Sequence, residues 1–363
     1  MIPPDEGGAG RSDVVPGPSA EYPSRTDDAP SLDPAGAEQA PPDVVRPGTS
    51  TFTIEGRSAP ALFVIGWLAS VLGLGAVAIA LLGGSNPAAP VLLIGGLVVL
   101  SVGLVSAAGS QGIERRARGV AGYHGPSPFL VFGATVPISL LAGVIVGLPL
   151  SFLDLPLDGP LARLGSVLAQ ALVYVALIRL LVVDAGSLSW AAMGIRRPDG
   201  RALNELGAGA MWALPVILIT IPVAAILSRV VPVTPVSPLP PSGEVSGFII
   251  NLLAGAVVAP IAEEILFRGF ATTAWARTLG PRRALVRGAL FFAFVHILTV
   301  SGGQAGEAAG LALVGFVTRI PVAFALGWLF LRRSSIWTPI GLHAAFNGVL
   351  ITLGEIALRS GAA

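Results

Sequence analysis

From Ala61 to about residue 357 the apolar residues fall into runs separated by short polar breaks rich in Gly and Pro. A helix needs roughly 20 residues to cross a hydrocarbon core about 30 Å thick, and most of these runs approach that length. Nine are legible, near 61–83, 89–108, 128–150, 162–183, 208–231, 246–267, 286–301, 309–331 and 336–357. The seventh is short and the eighth contains Pro321. The expectation is therefore an all-α, polytopic transmembrane helical bundle of eight to nine spans, with eight if one segment is re-entrant. Residues 1–58 differ from the rest, with ten Pro, many Gly, Ser and Asp, and no periodic apolar face. Such a segment buries too little surface to offset its ordering entropy, so a disordered, acidic, cytoplasmic tail is expected there. Nothing before Ala61 pairs a basic stretch with an apolar one as a signal peptide does, so the tail is expected to stay on the mature protein.

Composition sharpens this picture. The chain is 53% hydrophobic and 12% charged, with mean hydropathy +0.79, against about 25% charged for soluble domains. A soluble globular enzyme is excluded. Up to Arg57 there are ten acidic residues against four Arg, and afterwards eleven against eighteen; no nucleic-acid partner is expected from that distribution. All 22 basic residues are Arg, which with the abundant Ala, Gly, Pro and Val suggests GC-rich coding DNA and a bacterial cell membrane. With Cys 0, disulfides and thiolate metal sites are impossible, and any metal would need His, carboxylate or water.

Arg collects on the cytoplasmic side of short loops. Arg115, Arg116 and Arg118 follow the second run, Arg196, Arg197 and Arg201 the fourth, Arg277, Arg282, Arg283 and Arg287 the sixth, and Arg332 and Arg333 the eighth. The alternate loops carry Asp154, Asp158 and Glu244 or almost no charge. The N-terminus is expected in the cytoplasm and, with nine spans, the C-terminus outside.

An ionisable residue inside the hydrocarbon costs several kcal/mol unless paired or hydrated, which makes each one a candidate for function. Those present are Arg179, Glu263, Glu264, Arg268, His296, Arg319 and His343, the last accompanied by Asn347. Measured from the nearest Arg cluster at 1.5 Å per residue, His296 and His343 lie about 13–15 Å deep, and the Glu pair falls within a bracket that includes this depth. Glu, His and His can thus converge on one polar cavity in the cytoplasmic leaflet. Glu264 and Arg268, Phe292 and His296, and His343 and Asn347 are each spaced i,i+4 and share a helix face, whereas adjacent Glu263 and Glu264 do not. A carboxylate and an imidazole in a dry cavity suit water activation. A structural polar cluster joining three helices and an ion or solute pathway are the competing readings.

These residues also form three ordered motifs: Glu263-Glu264-Ile265-Leu266-Phe267-Arg268 fits EExxxR, Phe292-Ala293-Phe294-Val295-His296 fits FxxxH, and His343-Ala344-Ala345-Phe346-Asn347 fits HxxxN. In this order, over roughly residues 245–350, they resemble the CPBP family of intramembrane proteases, which includes type II CAAX prenyl endopeptidases and bacterial bacteriocin-processing or immunity proteins. The resemblance implies an endopeptidase that cleaves a membrane-anchored peptide or protein within the lipid bilayer, by water activated on Glu263. His296 would help hold the water, and His343 with Asn347 would stabilise the oxyanion. Glu264 and Arg268 would orient the site and Phe292 would shape it. Metal use stays open: Glu263, His296 and His343 fit a Zn site with one open position, and a metal-free mechanism serves equally. HExxH is absent. A non-catalytic immunity or scaffold protein of the same fold is the alternative. The expected organisation is the tail at 1–58, N-terminal transmembrane helices at 59–245 and a catalytic core at 246–358. Arg319 is expected to act on cavity electrostatics or structure, and Arg179 to snorkel to an interface.

Overall fold

The computed structural model describes residues 56–84, 86–233, 240–298, 300 and 304–361. The expected disordered tail lies almost wholly outside these residues. Among those described there is no strand, and the chain from Phe52 onward forms one compact unit of helices. In order they are α1 Pro60–Leu82, α2 Ala89–Ala117, α3 Pro128–Phe152, α4 Pro160–Val183, α5 Gly200–Val230, α6 Val245–Leu279, α7 Pro281–Val295, α8 Ala305–Arg333 and α9 Trp337–Arg359.

Eight of these are long and apolar enough to cross a membrane, and the exception is α7. The expected run at 286–301 gives a helix of only 15 residues, starting earlier at Pro281 and stopping at Val295. The structure thus falls at the lower end of the expected eight to nine spans. The apolar run at 286–301 spreads beyond the helix because His296–Leu298 leave it as turns. Outward faces carry exposed Trp67, Leu72, Leu82, Phe152, Leu172 and Leu218. In water such a surface would aggregate, and in lipid it is solvated. The chain is an integral membrane protein.

Local chemistry sets the ends. Pro occupies the first turn of α1, α2, α3, α4 and α7, where its missing N–H has no helical partner to lose. Asp199 caps α5 by accepting from the Ala202 N–H at 2.9 Å. One residue, Gly280 at φ 81°, separates α6 from α7, and left-handed Ser334 at φ 51° ends α8. Small residues permit the tightest crossings: Gly66 faces Ala107, Gly73 faces Leu100 and Gly103 faces Ser70, so α1 and α2 meet backbone to backbone.

The core lies among α3, α4, α5, α6, α7, α8 and α9. Leu285 lies against Gly327 and Ile297 against Gly315, so α7 and α8 run antiparallel, and α8 continues by about three turns past the last residue of α7. Buried Tyr123, in the loop between α2 and α3, donates to the Pro126 carbonyl at 2.8 Å and packs on Phe270 of α6. Burial pushes its phenol above the ordinary tyrosine range.

Candidate active site

The Glu pair sits in a short α-helical stretch of α6, Ala259–Glu264, between two wider π-type segments, Leu253–Val258 and Ile265–Thr272. Pro260 explains the first. It lacks the N–H that would reach the Ala256 carbonyl in an α-turn or the Gly255 carbonyl in a π-turn. The Asn347 amide of α9 takes that role, donating to the Gly255 carbonyl at 2.8 Å. In the second segment the Thr272 hydroxyl donates five residues back, to the Phe267 carbonyl at 2.8 Å. Widened turns of this kind frequently mark functional sites, because they re-aim side chains without ending the helix.

Two layers result. In the inner one Glu264 is fully buried, and its Oε1 accepts from the Arg268 guanidinium at 2.8 Å and from His343 Nδ1 at 2.8 Å. Arg268 also donates to the Ala323 carbonyl of α8 at 3.4 Å, and its guanidinium stacks 4.2 Å from the Phe292 ring centre. A carboxylate, a cation and an imidazole therefore tie α6, α8 and α9 together out of water, where removing one member would strand the others.

The outer layer is Glu263 with the far edges of both imidazoles. Glu263 Oε2 lies 3.5 Å from His296 Nε2 and 3.8 Å from His343 Nε2. His296 Nδ1 is 2.7 Å from the Phe292 carbonyl, which can only accept, so this nitrogen carries the proton of the neutral ring. The same logic at Glu264 puts the His343 proton on Nδ1. Both Nε2 atoms then present lone pairs to a carboxylate oxygen that has no hydrogen-bond donor of its own. Three acceptors facing one another call for a donor between them, and a water molecule supplies two hydrogens. Glu263 and His296 retain side-chain exposures of 19% and 24%, against 6% for His343, so access is from the Glu263 and His296 side.

The sequence-derived candidates fare unevenly. Glu263, Glu264, Arg268, Phe292, His296 and His343 come together; the Phe292 ring sits 4.4 Å from the His296 ring and 5.7 Å from that of His343. Asn347 shares the His343 face but is engaged with Gly255, leaving one amide hydrogen. Arg319 donates to the carbonyl of Gly315 on its own helix at 2.8 Å and lies within electrostatic reach of Glu263. Arg179 pairs with Asp184 at 3.6 Å on the surface. Tyr174 of α4, also within electrostatic reach of Glu263, was not visible in the sequence, where a tyrosine inside an apolar run reads as core. Among the described residues no group of three or more His, Asp or Glu forms a set that could hold a metal ion. Glu264, the fourth possible ligand, already has Oε1 on Arg268 and His343.

Residues 245–349 match the family model described as Type II CAAX prenyl endopeptidase Rce1-like, which agrees with the family read from the three motifs and covers less than a third of the chain. No curated protein and no solved structure matches the chain.

Proposed function

We propose, with the Rce1-like stretch at 245–349 as the premise, that this membrane protein is an intramembrane endopeptidase whose general base is Glu263. The observation that carries the reading is the convergence of two oriented His Nε2 atoms on the unpartnered Oε2 of Glu263. A water at this point gives one proton to Glu263 Oε2 while an Nε2 accepts its other hydrogen. The water oxygen bonds to the scissile carbonyl carbon, and the carbonyl electrons move onto oxygen. The remaining amide hydrogen of Asn347 is the donor nearest in kind to an oxyanion partner on α9. Collapse breaks the C–N bond, and the departing amine takes the proton from Glu263. Buried Arg268 and Glu264 fix the tautomer and ring angle of His343, a positioning role. No step runs through a metal.

The substrate is a membrane-associated peptide or protein, and the Arg clusters support a site in the cytoplasmic leaflet with the N-terminus in the cytoplasm. The test compares N- and C-terminal peptides in membranes of cells making wild type or Glu263→Ala at matched protein level. New termini with wild type alone support proteolysis and reveal substrates. Identical termini, with His296→Ala equally silent, replace it with a non-catalytic scaffold or immunity role.

A further inference from the structure

A groove of about 640 Å³ runs along the outer face of α7 and against the start of α3, away from Glu263. Its walls change character along its length. Arg282, Val286, Leu290 and Phe294 form one i,i+4 stripe on α7, beginning with a cation and ending with an aromatic ring. Arg283, Arg287 and Phe291 form a second. Phe129 closes the opposite side. The stripe is about 18 Å long at 1.5 Å per residue.

The cations are in an unusual place. The positive end of the helix macrodipole lies at the α7 N-terminus, where acidic residues are favourable and cations are not. The first turn of α7 nevertheless has no acid. Arg282 and Arg283 are exposed, and among the described residues no ion pair involves Arg282, Arg283 or Arg287. Arg287, though exposed, lies 5.6 Å from the ring centres of both Phe129 and Trp275, beside the apolar part of the groove. Two exposed guanidinium groups without an acidic partner, Arg282 and Arg283, thus lie at one end of an apolar channel, while Val286, Leu290 and Phe294 stay exposed along it.

We infer that this groove is a binding site for one anionic phospholipid, with its phosphate at Arg282 and Arg283 and an acyl chain laid along Val286, Leu290 and Phe294. Charge complementarity selects the anionic headgroup, since each Arg near a membrane surface contributes about 1 kcal/mol toward anionic lipid. The chain is solvated by groove walls that water would not wet. The groove floor is Phe291, whose ring contacts Phe267 at 5.5 Å, which in turn contacts Phe292 at 5.1 Å. Lipid occupancy therefore braces the helix that ends immediately before His296.

The test is native mass spectrometry of the purified full chain, released from detergent with dioleoyl phosphatidylglycerol or dioleoyl phosphatidylcholine added. One phosphatidylglycerol should be retained in preference to phosphatidylcholine. Arg282→Gln/Arg283→Gln, which leaves Arg287 and its ring contacts intact, should weaken that affinity about tenfold or more. Leu290→Trp, which fills the apolar part, should weaken retention of phosphatidylglycerol with the arginines untouched. Arg332→Gln/Arg333→Gln removes an equal charge from the end of α8 and should change nothing. Equal retention of the two lipids, or equal loss from both arginine pairs, would reduce the effect to diffuse charge and overturn the site; so would undiminished retention in Leu290→Trp. Unfolding temperatures of the lipid-free variants keep a folding defect distinct from a binding defect.

Discussion

Glu263 and Glu264 are chemically identical neighbours that the fold assigns to opposite tasks, because a helix turns about 100° between them. Glu264 is sealed against Arg268 and His343; Glu263 faces two lone pairs and an opening. Replacing Arg268 by Met removes the counter-charge of a fully buried carboxylate, and breaking such a pair costs about 3–5 kcal/mol. Thermal unfolding in detergent should fall accordingly, and Glu264→Gln/Arg268→Met should recover much of the loss. Recovery of stability without recovery of cleavage would separate the structural task from the positioning of His343. A second expectation concerns metal. In the proposed mechanism no step needs a metal, so cleavage should survive dialysis against a strong chelator; a loss reversed by Zn²⁺ would instead put an ion on Glu263, His296 and His343. At this scale the sequence was informative: spacing and depth alone gathered six of the seven motif residues into one site. It did not reveal what Asn347 does for Gly255, since that contact depends on a carbonyl whose helical partner is missing, nor Tyr174, which looks like any apolar-run aromatic.

At the scale of elements, α6 departs from ideal helix where the chemistry is. Its two widened segments were not legible in the sequence, although Pro260 was in plain view, because a proline inside an apolar run signals a kink without saying how the freed carbonyl is satisfied. Pro260→Ala restores an N–H able to reach Gly255 or Ala256, in competition with Asn347. The expected result is a chain at least as stable as wild type that cleaves more slowly, measured by unfolding and by turnover on the same preparation. Unchanged turnover would show that the wide turn does not set the aim of Glu263. Hydropathy marked α7 as short but displaced its ends. The apolar run continues past Val295, yet the chain leaves the helix at His296, and only the antiparallel match of α7 with α8 reveals how early it stops.

At the scale of the whole molecule, sidedness can be read directly, since the natural chain has no Cys and a single introduced one is a unique reporter. Arg116→Cys, in the last turn of α2, should react with an impermeant thiol reagent only in inside-out vesicles, and Asp158→Cys, before α4, only in right-side-out ones. The opposite pattern would move the opening at Glu263 to the external leaflet. The alternation of Arg between loops is what supplies this expected orientation; the close α1–α2 contact through Gly66, Gly73 and Gly103 was not legible, because glycines within an apolar run do not announce which helix they will meet.

The order in which the site residues leave the ribosome follows from the single-residue joint at Gly280. Glu263 lies on α6 and His296 directly follows α7, so the two can approach one another as soon as α7 and the turn after it are made. His343 and Asn347 arrive only with α9, the last helix, and until then Glu264 and Arg268 have no imidazole to hold and the Gly255 carbonyl has no amide. On the proposed mechanism, a nascent chain therefore has an incomplete site until α9 inserts.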